Sequence, residues 1–203
     1  MGRTLLELHG DHLPTRLRAA AAAGSDARMN GCELPVVIVS GSGNQGMTAS
    51  LPVIEYAKAI GADHEALLRA LAVSDLITIH QKTGIGRLSA FCGATSAGCG
   101  AACGIAYLDG AKAEVIAKTI VNTLGICSGM VCDGAKSSCA AKIAAAVEAG
   151  LDGYEMAKVD LGFVNGEGII GADVEQTIVN VGRMARQGMR HTDEEILNIM
   201  LGL

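Results

Sequence analysis

The sequence predicts a mainly α fold, a compact Gly/Ala-rich helical domain with at most a minor strand element. Apolar residues recur with a period of about 3.6 through most segments, as in amphipathic helices. The 203 residues include 27 glycines and many alanines but only two Phe, three Tyr and no Trp, so the helices are expected to pack through small side chains. Because no linker or repeat interrupts the chain, residues 1–203 are expected to form a single domain.

Four helices are predicted in the first half of the chain, most of them bounded by recognisable signals. Gly24 and Gly61 follow two of them as stop signals, Asp63 is a plausible N-cap for the third, and Pro52 lies inside the second. The predicted bounds are residues 15–23, 46–60, 64–82 and 88–107. Between the first two helices, the β-branched run at residues 34–39 is the only good strand candidate.

Four further helices are predicted in the second half, at residues 111–124, 136–149, 173–186 and 192–201. The last begins with Thr192, Asp193, Glu194 and Glu195, which match the S/T-x-x-E capping box. Residues 154–171 contain four glycines, so a turn-rich insertion is predicted there.

Composition argues against several functional classes. The net charge is −5 and no cluster of basic residues is interleaved with aromatics, which argues against nucleic-acid binding. Residues 88–108 are uncharged and long enough to span a bilayer, but their small side chains predict a buried helix and no membrane span. An odd number of cysteines, seven, and no secretory signal at the start predict a cytoplasmic location.

A glycine-rich loop follows the strand candidate and matches G-x-G-x-x-G from Gly41 to Gly46. A dinucleotide site also needs a second strand ending in an acidic residue, whereas Glu65 lies at the start of a predicted helix. Exposed backbone N–H groups at a helix N-terminus favour a small anion such as a carboxylate. A tight turn with close backbone packing is the alternative interpretation of the same glycines.

Three of the seven cysteines lie near the starts of predicted helices. Cys92, Cys132 and Cys139 could converge on one metal centre, and helix N-termini would lower their pKa. Their spacing matches neither a zinc motif nor a closed four-cysteine cluster, so spacing alone leaves metal binding open. The other cysteines are predicted to be small buried hydrophobes: Cys32, Cys99, Cys103 and Cys127.

Three blocks of the sequence resemble a known family. They are SGSGNQGMTASLPVIEYAKAI, IHQKTGIGRLSAFCGATSAGCGAACGIAYLDG and GMVCDGAKSSCAAKIAAAVEAGLDG. Together they are similar to the iron–sulfur L-cysteine desulfidase family, which is related to the alpha-chain domain of iron–sulfur L-serine dehydratases. The resemblance covers nearly the whole chain but only the C-terminal half of the usual family member.

The resemblance implies a PLP-independent β-elimination that converts L-cysteine to pyruvate, ammonia and sulfide, or L-serine to pyruvate and ammonia. It also implies a 4Fe–4S cluster held by three cysteines with one iron open. By matching position the ligands would be Cys92 and Cys132, with Cys139 taken from the serine dehydratase pattern. The matching substrate-carboxylate region comprises Ser40, Gly41, Ser42, Gly43, Asn44, Gln45 and Gly46.

His80 and Lys82 are the candidates nearest these motifs for the base or for substrate binding. The alternative for His80 is a helix-end histidine on a mixed face. Lys82 and Arg87 could equally be solvated charges or partners of Asp133.

One departure concerns the missing half. Family members carry an N-terminal half with a GCTEP-like segment whose cysteine has been linked to cluster binding, and residues 1–30 contain nothing similar. If that cysteine is required, Cys139 is a substitute or a structural thiol. The expected partners are a small amino-acid substrate and either another copy of the chain or a complementary N-terminal-half subunit. A non-catalytic fragment or one subunit of a split enzyme is the alternative function.

Overall fold

A computed structural model describes residues 1–203 as nine α-helices with one π-helical turn and no β-strand. This confirms the predicted mainly α fold. The helices are α1 (Gly2–His9), α2 (Leu13–Met29), α3 (Gly43–Ile60), α4 (His64–Ile85), α5 (Gly93–Leu108), α6 (Ala113–Ile126), α7 (Cys139–Lys158), α8 (Val174–Arg183) and α9 (Arg190–Leu201), with the π-helical turn at Met184–Gly188.

Helix α5 forms the centre of the molecule and packs against α3, α4, α6 and α7. Every residue from Gly93 to Ala106 is buried, which confirms the prediction for Cys99 and Cys103. Its glycines allow this crowding: a Cβ atom on Gly98 would lie 2.5 Å from the Ala146 carbonyl oxygen. None of the helices is both long and apolar enough to cross a bilayer.

A single methyl group added to this interface is expected to destabilise the fold. A Cβ atom on Gly100 would lie 2.3 Å from Thr78 Oγ1 and 2.4 Å from the Ser74 carbonyl oxygen. The backbone of α4 cannot shift without disturbing its own packing. Gly100→Ala should therefore lower the free energy of unfolding, measured by urea denaturation, by about 3 kcal/mol. Gly129→Ala is the control, since nothing lies within 4 Å of its added methyl group. Equal stability of the two variants would contradict the close contact between α4 and α5 at Gly100.

The predicted strand at residues 34–39 is wrong. The segment forms no ladder, and the chain contains only two isolated bridges, Val39 with Ser42 and Phe91 with Val131. A strand needs a neighbouring strand to pair its backbone, and no other segment of this chain supplies one. These β-branched residues therefore lie in an irregular connection between α2 and α3.

Several helix boundaries also differ from the prediction, for reasons of packing. Helix α2 continues through Gly24 because that glycine faces α3; a Cβ atom there would lie 2.8 Å from Met47 Sδ. The predicted capping box is wrong, since α9 begins at Arg190 and Thr192 lies inside it. Helix α1 was not predicted. The Asp63 cap is confirmed by a 2.7 Å hydrogen bond from the Ala66 amide.

Candidate active site

The N-termini of α3, α5 and α7 meet the last turns of α4 around a cavity of about 300 Å³. The first helical turns leave backbone N–H groups without intrahelical partners, and the helix dipoles add positive potential. Residues far apart in the sequence therefore share one cavity. The predicted site residues that line it are Gly41, Ser42, Asn44, Gln45, Lys82, Cys92, Cys132 and Cys139.

The glycine loop combines the two interpretations that its sequence allowed. Ser42 caps α3 by accepting a 3.1 Å hydrogen bond from the Asn44 amide, and this part of the loop lines the cavity. Gly46 instead supports close packing, since a Cβ atom on it would lie 1.9 Å from the Val37 carbonyl oxygen. Ser40 and Gly41 adopt positive φ angles of 52° and 114°, which turn the chain sharply into the helix.

Asn44 and Gln45 place two buried carboxamides at the start of α3. Arg28 Nη1 donates to Asn44 Oδ1 at 3.1 Å, which fixes the orientation of that amide. Gln45 packs against Gly93, where an added Cβ atom would lie 2.4 Å from the carboxamide. Gln45 Oε1 is buried and accepts no hydrogen bond. Because buried polar atoms are normally paired, this oxygen is available for a donor on a ligand in the cavity.

A short antiparallel contact holds Cys92 and Cys132 side by side. The Cys92 amide donates to the Met130 carbonyl at 3.0 Å, and the Cys132 amide donates to the Ala90 carbonyl at 2.6 Å. The Cys92 thiol hydrogen-bonds the Cys132 sulfur, which lowers the pKa of Cys132 to about 6. The same hydrogen bond, together with burial, raises the pKa of Cys92. The two thiols are therefore coupled, and a proton held by one of them favours the thiolate form of the other.

Cys139 reaches the same cavity from the first residue of α7. Its sulfur accepts a 3.5 Å hydrogen bond from the Lys136 amide and donates at 3.5 Å to the Gly134 carbonyl. No three His, Cys, Asp or Glu side chains lie close enough to hold one metal ion together. In an iron–sulfur cluster, however, each cysteine binds a different iron atom, so three soft thiols around one cavity fit that group.

Lys82 is the buried cation of the site, with 4% of its surface exposed. Burial lowers its pKa, and negative charge on the neighbouring Cys132 and Cys92 sulfurs opposes that shift. Asp133 pairs with Lys142 instead, so neither the solvated position nor the Asp133 pairing considered for Lys82 is correct. The cavity thus holds a buried ammonium without a carboxylate and suits an anionic ligand.

Other predicted residues lie elsewhere. His80 is exposed on α4 and its Nε2 hydrogen-bonds Glu175 of α8 at 2.8 Å, outside the cavity. Arg87 lines the cavity rim and is exposed. The prediction of burial is wrong for Cys32, which is exposed, and Cys127 is only partly buried.

Sequence reasoning missed two cations that line the cavity, Arg28 and Lys142. Lys142 lies three residues after Cys139, so the helical period places both on one face of α7, and this signal was available. Arg28 lies near the end of α2, where the sequence offers no comparable signal.

Comparisons with known proteins identify the family of the chain. A sequence model of the serine dehydratase alpha chain family matches residues 1–198. A UPF0597 protein of Desulfitobacterium hafniense is 61% identical over 201 residues, covering 99% of this chain and 47% of the relative. UPF0597 proteins of Lachnoclostridium phytofermentans and Finegoldia magna are 56% and 50% identical over 201 residues, each covering 99% of this chain and 48% of the relative.

The chain therefore spans about half the length of the curated relatives that it matches. No solved structure matches it. The family match nevertheless extends across almost all of the sequence, including every residue that lines the cavity. The chain belongs to the serine dehydratase alpha chain family.

Proposed function

We propose that the protein catalyses a PLP-independent, iron–sulfur-dependent β-elimination on a small L-amino acid. L-Cysteine would give pyruvate, ammonia and sulfide, and L-serine would give pyruvate and ammonia. The observation that carries the proposal is the convergence of three cysteines, the glycine loop and the unpaired Lys82 on one cavity. Membership in the serine dehydratase alpha chain family supports a lyase-type role in amino-acid breakdown.

Cys92, Cys132 and Cys139 would hold a 4Fe–4S cluster, and the two other thiols deep in α5 would take no part. Three cysteines leave one iron open, and that iron, when present, would act as a Lewis acid for the departing thiolate or hydroxide. Lys142 beside Cys139 and Cys132 would offset the negative charge of the thiolates.

The glycine loop would bind the substrate carboxylate. Backbone N–H groups at the start of α3, the dipole of that helix and the cations of the cavity all favour an anion there. Gln45 Oε1 lacks a donor, and the substrate ammonium group could supply one. Two such contacts would fix the orientation of the α-carbon, and a fixed orientation is a large part of the catalytic gain.

Lys82 would take the α-proton. Burial lowers the pKa of its ammonium group, which increases the fraction of neutral amine that is free to accept a proton. Loss of that proton and departure of the β-substituent form a carbon–carbon double bond, and water then replaces the amino group to give pyruvate and ammonia. His80 is left out of the proposal because it pairs with Glu175 away from the cavity.

A second candidate is a non-catalytic chain, or one subunit of a split enzyme that needs a complementary half. The observation in its favour is length, since the chain covers only 47% of its Desulfitobacterium relative. Under this alternative the cavity would bind a cluster or a partner without turning over substrate alone.

Anaerobic reconstitution with iron and sulfide tests the proposal. A broad absorbance near ~400 nm should develop, and L-cysteine or L-serine should then change that spectrum by binding at the open iron. Cys32→Ser is the control, because Cys32 is exposed and does not line the cavity, and it should reconstitute fully. A chain that takes up no iron, alone or with the complementary half of a relative, would refute the cluster. An unchanged spectrum with both amino acids would refute the substrate.

A further inference from the structure

Residues 34–39, called the valine segment below, expose backbone groups that nothing in the chain pairs, apart from Val39, which forms an isolated bridge with Ser42. None of their amides donates a hydrogen bond, and only the Val39 carbonyl accepts one, from the Ser42 amide at 3.4 Å. Four of the six residues are β-branched, a composition typical of strands and uncommon in irregular connections. The segment therefore has the composition and the unpaired backbone groups of a β-strand but belongs to no sheet.

The side chains of the valine segment are also uncovered. Leu34, Val37 and Ile38 are 75%, 82% and 65% exposed and lie within five consecutive residues. Beneath the segment lies a cavity of about 370 Å³ lined mainly by apolar side chains, together with Arg28, Ser50 and Asp75, and Asp75 Oδ1 is buried without a hydrogen-bond partner. Contiguous exposed apolar surface of this kind marks an interaction site.

The valine segment is nevertheless held in place on one side. The Val37 carbonyl lies against Gly46, so closely that a Cβ atom there would be 1.9 Å from the oxygen. Val39 is buried, at 8% exposure. One side of the segment thus rests on the start of α3, and the remaining backbone groups are free. A held segment with unpaired amides offers an added strand the same kind of backbone groups that an exposed sheet edge offers.

We infer that the valine segment pairs with a β-strand from the polypeptide that makes up the other half of the relatives' length. The relatives are about twice as long as this chain, since the matched region spans 99% of this chain but only 47–48% of each relative. A segment on the same polypeptide would dock at high effective concentration. Pro35 near the start of the segment is compatible with a strand that pairs beyond it.

The position of the segment gives the pairing a consequence for the cavity. Residue 39 is followed directly by Ser40 and the glycine loop, which turns into α3. An added strand would therefore fix the entry to the loop as well as cover the apolar side chains. This inference concerns the partner surface and does not depend on the cluster or on turnover.

Hydrogen–deuterium exchange tests the pairing on two proteins, this chain and the full-length Desulfitobacterium relative. In this chain the amides of residues 36–38 are expected to exchange at the rate of an unstructured peptide at every protein concentration. In the relative, the aligned amides should exchange at least about tenfold more slowly. Fast exchange in the relative would overturn the inference. Protection that rises with the concentration of this chain alone would overturn it in favour of a second copy.

Two substitutions separate strand pairing from ordinary side-chain packing. They are made in the relative, at the position aligned with Ile38, because the carbonyl of the preceding residue, Val37, faces α3 and successive residues of an extended segment direct their backbone groups to opposite sides. Proline there removes an amide donor and should abolish the protection, whereas threonine keeps the donor and the β-branched shape and should preserve it. Proline at the position aligned with Lys112 is the control, because Lys112 is an exposed N-cap with φ of −73°. If threonine abolishes the protection as completely as proline does, side-chain packing is responsible and the pairing is refuted.

Discussion

Cys132→Ser is expected to abolish the broad absorbance near ~400 nm after reconstitution and to reduce pyruvate formation by at least about 100-fold. Cys132 lines the cavity beside Cys92, and its hydrogen bond with the Cys92 thiol lowers its pKa, which favours the thiolate form that binds iron. A serine hydroxyl is a hard, neutral ligand and does not replace a soft thiolate. Iron and acid-labile sulfide per chain, measured after desalting, check the expected loss.

The fold should survive this substitution. Cys132 is only partly buried, and its backbone contact with the Ala90 carbonyl does not involve the side chain. Cys92→Ser should give the same loss of iron, whereas Cys32→Ser should retain the wild-type iron content. Wild-type iron content in both Cys92→Ser and Cys132→Ser would contradict the ligand assignment.

Lys82→Met is expected to make the protein without cluster more stable while reducing turnover by at least about 100-fold. The Lys82 ammonium group is buried without a carboxylate, and placing charge in such an environment costs free energy. Methionine fills a similar volume without that cost, so the free energy of unfolding should rise by about 1–3 kcal/mol. The expected loss of turnover follows from removal of the base.

The combination of the two effects is diagnostic. If Lys82 had a purely structural role, its substitution would lower the stability of the protein. If it were solvated, its substitution would change neither stability nor turnover. Lys112→Met, at an exposed position outside the cavity, is the matched control and should leave both unchanged. Thermal melting of the protein without cluster measures the first effect, and a pyruvate assay after reconstitution of the same batches measures the second. A less stable Lys82→Met variant, or one with full turnover, would contradict the role proposed for Lys82.

The helical content could be predicted from sequence because it follows from local patterns. The apolar period identifies most of the helices, and the Asp63 cap is a side-chain contact within four residues. The errors came from residues whose role depends on distant contacts. Gly24 looks like a stop signal, yet it allows α2 to approach Met47 of α3. The β-branched residues 34–39 predict a strand, but a strand also needs a partner, and this chain supplies none.

In the candidate site, too, local motifs could be predicted from sequence, whereas features that depend on distant contacts could not. Motifs on the sequence indicated the three cysteines and the glycine loop, and the fold brings them to one cavity. The sequence could not distinguish Lys82 from His80, since both lie near the end of α4 within three residues. Burial makes the distinction: Lys82 faces the cavity between α4 and the helix N-termini, while His80 points to Glu175 of α8. Which face of a helix is covered depends on neighbours that local sequence does not specify.

Pyruvate release by the reconstituted protein tests the central claim most directly. The cluster-loaded chain is incubated anaerobically with L-cysteine or L-serine, alone and together with the complementary half of the Desulfitobacterium relative, and pyruvate is measured over time. The proposed β-elimination predicts pyruvate from at least one of the two amino acids, with ammonia released in equal amount. A fully loaded protein that releases no pyruvate from either amino acid, with and without that half, would contradict the catalytic role of the cavity.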